Sequence, residues 1–505
     1  MSKNGLSWGP MKAQIGSFVR IKQAAELLGV TPQTVRNWVA SGRILAVRHP
    51  VNGYRLFDTE HLQQVLRSVG DQAAGQRTLF VDPPPPYNLR TKIVYRRSDR
   101  WASRSIQMPN GQLCSSRFQV NSKAPDTEYG AEGYDSDWLR LQSRPRTRSG
   151  QVIVTVGDAF CGGGVFSLGI EEALRGLSYS PVHSFGIDFN KDAIDAFASS
   201  CPGSVAIHSD IREIADGNPG SATTPKEREF LERIGGSVDV LVGGPPCQGH
   251  SDLNNHTRRT DPKNELYFSM VRLAELLAPQ FLIIENVPGV VHDRGAVVAV
   301  TESELARLGY HVSKARIDLC RIGVPQRRKR FVLVASRIGP MDLDAAVTLS
   351  ETCPRPLSWA VEDLLDAYDD KDPFNSSARH SPENLRRIGY LFAHDLYELP
   401  DAQRPPCHRD KSHSYNSVYG RMRWNEPAPT ITGGFGSTGQ GRFVHPRLPR
   451  TLTPHEACRL QFIPDYFRFP ATVGRRSMQQ IIGNAAPPRL GEMIIIGAAA
   501  QGVLF

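Results

Sequence analysis

Between residues 151 and 336 the sequence alternates short β-branched runs with segments of helix length, and this alternation constrains the fold more than any other feature. Residues 152–156 (VIVTV) have the length and composition of a buried strand. A glycine-rich turn follows, then a helix over about 166–175. Further strands are read over 182–187, ending at Asp188, and over 205–208, followed by Asp210. A fourth, 238–242, runs into Gly243-Gly244-Pro245-Pro246-Cys247, a fifth, 281–284, ends at Glu285, and a later one covers 330–335. Strands separated by helices predict βαβ units and a largely parallel sheet. In such sheets ligands bind beyond the carboxyl ends of the strands, which is where these acidic, glycine and cysteine residues fall.

Composition bounds the rest. At 505 residues the chain exceeds one ordinary core, and 40% hydrophobic residues suffice for globular cores. No run of about 18 apolar residues predicts a membrane span, and the first residues lack a secretory leader pattern. None of the eight cysteines forms a C-x-x-C pair, so neither a zinc site nor a disulfide scaffold is expected, and a reducing cytoplasm fits best. The net charge of +9 is uneven: residues 1–150 carry 22 Lys/Arg against 11 Asp/Glu, whereas residues 151–505 carry 38 against 40. A basic arm on a near-neutral body predicts a polyanionic partner.

Residues 17–66 read as a compact helical unit. A short helix over 21–28 is followed by Thr31, a good N-cap, and Pro32 at the first position of a second helix. That helix would bury Val35, Trp38 and Val39 and expose Gln33 and Arg36, the layout of a recognition helix. Asn52-Gly53 then marks a hairpin. With its Gly53-Tyr54-Arg55-Leu56-Phe57 ending, the unit resembles the winged helix-turn-helix of the MerR and excisionase families. The resemblance implies DNA binding, with Gln33 and Arg36 toward base edges and Arg43, Arg48 and Arg55 toward phosphates. Residues 67–150, with Pro83-Pro84-Pro85-Pro86 and several arginine clusters, read as a basic linker or a small insert.

The chemistry concentrates at the strand ends. Asp158-Ala159-Phe160-Cys161-Gly162-Gly163-Gly164 lies between a strand and a helix, where glycines let backbone approach a ligand at the helix N-terminus. Asp188 is placed to hold ribose hydroxyls and Asp210 to meet an adenine amino group, so the three strand ends together favour a nucleoside cofactor. Prolines 245 and 246 would present Cys247, an intrinsically strong nucleophile, at a strand end. Glu285 could share a proton with a bound base. Gln326-Arg327-Arg328-Lys329-Arg330, taken alone, is a solvated basic run.

Together these motifs, in this order, resemble the DNA cytosine-5 methyltransferases over roughly residues 152–336 and 427–500. The Pro246-Cys247-Gln248, Glu285-Asn286-Val287 and Gln326/Arg328/Arg330 motifs carry the match, with Leu452-Thr453-Pro454-His455-Glu456 and Gly483-Asn484-Ala485 near the end. The resemblance implies a Rossmann-like α/β sheet dependent on S-adenosylmethionine (151–336, completed by 426–505) and a smaller target-recognition region (337–425). It assigns Cys247 as nucleophile, Glu285 at N3 of the base, and Arg330 with Arg328 at O2. Asp158, Phe160, Gly162, Gly164, Asp188, Asp210, Pro246, Leu266 and Asn484 would hold the cofactor. Gln248 and Ser251 would close over an extruded cytosine of double-stranded DNA. No metal is expected, and a restriction endonuclease acting on the same site is the expected partner. The Pro245-Pro246 doublet departs from the single proline of many relatives. An RNA cytosine-5 methyltransferase shares this core and stays open as an alternative, as does a methylase that also represses transcription.

Overall fold

A computed structural model describes residues 18–28, 35, 47–48, 55–59, 62, 91–120, 129–147, 150–246, 266–292, 297–409 and 418–505. The chain divides into two units, residues 1–86 and 87–505. In the first, β1 (Phe18–Arg20) and β2 (Val47–Arg48) flank β3 (Arg55–Asp58) in an antiparallel sheet, with α1 (Ile21–Leu28) following β1. Ala24, Ala25 and Leu28 of α1 bury against Val35, Phe57 and Leu62. The backbone of Arg48 pairs with Arg55. Gln33 and Arg36 lie outside the described residues.

The second unit begins with an antiparallel meander, β4 (Lys92–Arg97), β5 (Trp101–Gln107) and β6 (Leu113–Gln119), followed by α2 (Ala131–Leu139). Then come β7 (Ile153–Ala159), α3 (Val165–Gly176), β8 (Ser180–Asp188), α4 (Lys191–Ser200), β9 (Val205–His208), α5 (Ile211–Ile214), α6 (Pro225–Ile234) and β10 (Val240–Gly243). After α7 (Leu266–Leu277) and β11 (Phe281–Asn286), α8 (Val297–Arg307) leads to β12 (His311–Asp318), β13 (Gln326–Arg327) and β14 (Lys329–Ser336). Seven of these strands form one sheet in the order β12-β14-β11-β10-β7-β8-β9. All its pairings are parallel except those of β14, which runs antiparallel to both β11 and β12.

The central strands read as continuous apolar runs because both faces are covered. On one face Val154, Val156, Val240, Val242 and Ile283 pack beneath α3 and the C-terminal helix. On the other, Leu241, Leu282, Ile284 and Leu333 pack against α7 and α8. The chain winds outward from β7 to β9, then crosses back to β10 on the other side of β7. The reversal leaves a crevice at the carboxyl ends of β7 and β10, where such sheets bind ligands.

Beyond β14, α9 (Pro382–Ala393) and β15 (Ala428–Pro429) precede α10 (Pro454–Leu460), α11 (Arg475–Asn484) and α12 (Pro488–Ala500). The last helix returns to α3 so closely that a Cβ on Gly169 would lie 1.7 Å from the Pro488 carbonyl oxygen. Among the described residues no helix is long and apolar enough to cross a membrane.

The meander region, read from sequence as linker or insert, is built into the core of this unit. Ala102, Ile106, Cys114, Phe118, Tyr134 and Trp138 share a cluster with the central sheet. A buried ionic network ties it in further: Arg104 bonds Glu492 and Glu172, and the Tyr134 hydroxyl donates to Glu172 at 2.9 Å. Arg355 reaches Asp135 at 2.6 Å, and Arg489 reaches Glu492 at 2.7 Å.

Candidate active site

The first wall of the crevice is the loop after β7. Phe160 takes φ 61°, Gly162 φ 52° and Gly164 φ 78°, and Gly164 caps α3. A side chain on Gly164 would be strained by that φ and would press within 2.9 Å of the Phe197 ring. Asp188 braces the loop from the next strand end, accepting the Gly162 amide at 2.9 Å and the Asn190 amide at 2.9 Å. Burial holds the Asp188 carboxyl above its usual range. Asp158 lies behind the loop, 3% exposed, where the Ser167 hydroxyl donates to it at 2.5 Å and burial pushes its pKa up to about 7. Phe189, directly after Asp188, leaves its ring 67% exposed. Sequence reading passed over it, although an exposed aromatic beside a ribose-type carboxylate is a signal for a stacked base.

Asp210 caps α5, accepts the Arg212 amide at 3.0 Å and pairs with its guanidinium at 2.7 Å. The Arg212 hydrogen bond holds its pKa below the ordinary value. Leu266 opens α7 and is 7% exposed. Asn484 ends α11 with an exposed side chain, and the same helix places Ile481 over the loop, 3.0 Å from a Cβ on Gly163.

The second wall follows β10 through Gly244, Pro245 and Pro246. Cys247, Gln248 and Ser251 lie outside the described residues. The base of this loop is held by Asn286, 2% exposed, whose amide donates to the Pro245 carbonyl at 3.1 Å and to the Tyr267 hydroxyl at 2.9 Å. Tyr267 carries no sequence signal, since it reads as an ordinary core residue of α7. Glu285 is 8% exposed beside the loop, and a Cβ on Gly244 would sit 3.5 Å from its Oε2. Nε of Arg330, at the start of β14, stands 2.5 Å from Glu285 Oε1 in ion-pair contact. The contact is not aligned as a hydrogen bond, so Oε1 keeps an unused acceptor position.

Arg328, expected beside Arg330, is placed differently. Fully buried, its guanidinium donates to the carbonyls of Ile431 (2.6 Å), Gly483 (3.1 Å) and Ala485 (3.0 Å). Gln326 acts similarly: its amide donates to Gln461 at 2.6 Å and its carbonyl oxygen accepts the Ile431 amide at 3.0 Å. Of the three motif residues, Arg330 reaches the carboxylate, and the other two tie β13 to the C-terminal segment. Beside Arg330 a cavity of about 750 Å³ is lined by Arg327, Lys329, Pro288 and Thr430. In the region read as target recognition, Arg421 lies 4.2 Å over Phe392 and Arg423 4.2 Å over Tyr397, and downstream of it Arg447 lies 4.0 Å over Trp424.

Residues 154–497 match the family model described as C-5 cytosine-specific DNA methylase. The chain belongs to that family. Residues 20–57 match the MerR family regulatory protein model. Among curated relatives of this cytosine methylase, Type II methyltransferase M1.BsuMI of Bacillus subtilis is 43% identical over 365 residues, covering 72% of this chain and 85% of the relative. Type II methylase M.HgiDII of Herpetosiphon aurantiacus is 34% identical, covering 50% and 74% respectively. Among solved structures, a DNA modification methyltransferase encoded in an E. coli prophage aligns with TM-score 0.48 at 22% identity, covering 70% of this chain and 99% of that one.

Proposed function

We propose that this DNA cytosine methylase transfers a methyl group from S-adenosylmethionine to carbon 5 of a cytosine extruded from a specific duplex sequence, within a restriction-modification system. The observation that carries the reading is the Glu285–Arg330 pair beside the Gly244-Pro245-Pro246 loop, because it sets an acceptor and a fixed cation beside the segment that leads to Cys247. The relatives named Type II methyltransferases support the restriction-modification setting, and a cognate endonuclease is the partner it calls for.

The loop residues fit the cofactor. Positive φ at Gly162 and Gly164 leaves room that side chains would fill, Asp188 suits vicinal ribose hydroxyls, and the exposed Phe189 ring offers a stacking face for adenine. Leu266, Pro246 and Asn484 would border the rest of the pocket. Asp210, engaged by Arg212, would meet the adenine amino group only through a carboxylate oxygen shared with that arginine. When bound, the cofactor supplies an electrophilic methyl on a sulfonium centre.

The chain's own residues perform the remainder. Carbon 5 of cytosine is a weak nucleophile until the Cys247 thiolate adds to carbon 6, forming an S–C bond and an enamine. Glu285 stabilises the proton shared at N3 during that addition, and Arg330 the O2 edge, where charge develops. After methylation a base removes the carbon-5 proton and the thiolate departs, restoring the aromatic ring and the free thiol. Access requires base extrusion, costing a few kcal/mol, and Gln248 and Ser251 would close the loop over the extruded base. The MerR-like unit would add its own DNA contact through Gln33, Arg36 and Arg48.

Bisulfite sequencing of a plasmid carrying the gene, in a host without cytosine methylation, tests the reading. Protected cytosines at one recurring sequence are expected. Unprotected plasmid DNA, with methyl transfer to transfer RNA instead, would overturn it.

A further inference from the structure

The β4–β6 meander has a charge-balanced inner side and a basic outer face. Arginines on its inner side and around its edges are matched by acids: Arg97 pairs with Asp137 at 2.8 Å, Arg104 with Glu172 and Glu492, and Arg144 with Glu171 at 3.0 Å. The strand register puts Lys92, Arg96 and Arg117 on the outer face, among Ser103, Ser105 and Ser115. No outward position of the three strands is acidic; Asp99 lies in the hairpin turn beyond them. Among the described residues none of Lys92, Arg96, Arg117 and Arg146 has a carboxylate partner.

A bare basic face is ordinarily just solvated. Here it borders a cavity of about 470 Å³ between the free edge of β6 and residues 143–147. Arg117, Arg144, Arg146 and Arg175 line it with Trp101 and Gln151; Arg144 and Arg175 are held by Glu171 and Glu172 behind it, Arg117 and Arg146 have no carboxylate partner among the described residues, and none of the described lining residues is acidic. The Arg117 guanidinium is held 4.5 Å over the Trp101 ring, which limits the freedom lost when it grips a ligand. The cavity adjoins Gln151 and Arg175, at the entry end of β7 and the last turn of α3, so it lies at the opposite end of those elements from the cofactor loop.

We propose that this face and cavity form a second DNA-backbone contact, separate from the catalytic crevice, gripping phosphates of duplex outside the recognition sequence. Unpaired cations, serine hydroxyls and an absence of carboxylates are the chemistry that phosphate contacts use. The inference rests on duplex DNA being the substrate of the same chain, and its test separates the two.

The experiment compares the full-length protein with an Arg96→Gln/Arg117→Gln/Arg146→Gln variant on a duplex just spanning the target and on a duplex of about 60 base pairs with the same target. Methylation and binding of the short duplex should be unchanged, which also verifies folding and the proposed activity. On the long duplex affinity should fall about tenfold or more in 0.1 M salt, and the slope of log affinity against log salt should shrink by about 2.7 for three lost phosphate contacts. Equal affinity and slope for both proteins on the long duplex would overturn the proposal. So would equal losses on both duplexes, which would assign these arginines to the catalytic cleft.

Discussion

Replacing Arg328 by methionine separates a strut from a catalytic group. The guanidinium is buried and donates to three main-chain carbonyls at 2.6, 3.1 and 3.0 Å. Methionine roughly fills the volume but leaves those acceptors without their donors. At about 1.5 kcal/mol for each hydrogen bond from a charged group, and with some relief from no longer burying a charge, the expected loss is on the order of 3–5 kcal/mol. Denaturant unfolding at 20 °C should show the midpoint moved accordingly. Methyl transfer measured well below the transition should stay within about fivefold of wild type, because the bonds of Arg328 to the Ile431, Gly483 and Ala485 carbonyls hold the C-terminal segment in place, whereas Arg330 contacts Glu285. Arg330→Met should lose about a hundredfold or more in turnover, the scale of a lost electrostatic contact to the reacting base. An Arg328→Met protein as stable as wild type yet a hundredfold slower would refute the reasoning and put that guanidinium on the substrate.

Three further outcomes are expected. Gly169→Ala drives a Cβ into the Pro488 main chain and should cost several kcal/mol, whereas Gly389→Ala in α9 meets nothing within 4 Å and should be neutral or stabilising by about 0.5–1 kcal/mol; thermal unfolding of both variants checks the pair. Asp158, with a native pKa of about 7 against an ordinary 3.8, binds its proton more tightly when folded, so its stabilising contribution is full below about pH 4 and lost as pH rises through 7. Asp158→Asn should therefore stabilise the cofactor-free protein at pH 8, by up to about 4 kcal/mol, and gain little near pH 4.5; an equal gain at both pH values would contradict this. Glu285→Gln keeps the shape but not the charge or proton, and single-turnover assays should show methyl transfer slowed at least a hundredfold with the fold intact.

The parallel strands were legible because burial on both faces makes them continuous apolar runs, as in residues 281–284. The edge strand β12 was not, since its exposed side mixes charged and apolar residues without a clean period. The β-like run over 91–95 could be read, but the packing of the meander into the core could not: Arg104, Arg355 and Arg489 are buried against acids far away in sequence, and a buried arginine looks in composition like a solvated one. The strand ends that bear Asp158, Asp188 and Glu285 could be read directly. What spacing could not tell was which member of Gln326, Arg328 and Arg330 faces the base, because that depends on the segment around Ile431 and Gly483 packing across them. Tyr267 went unread because an aromatic in an apolar helix gives no hint of its hydroxyl's partner, and Phe189, set between Asp188 and Asn190, because a sequence does not report how exposed a ring is.

The central claim is that a sulfur of this chain becomes bonded to an extruded pyrimidine. A duplex bearing 5-fluorocytosine at the methylated position, incubated with the protein and S-adenosylmethionine, tests it most directly, since fluorine cannot leave as the carbon-5 proton does. Intact mass and peptide mapping should find a one-to-one, denaturant-resistant adduct through Cys247, absent from Cys247→Ser and absent without the cofactor-derived methyl. A wild-type enzyme that turns over ordinary duplex but never accumulates that adduct, or accumulates it through another residue, would contradict the account.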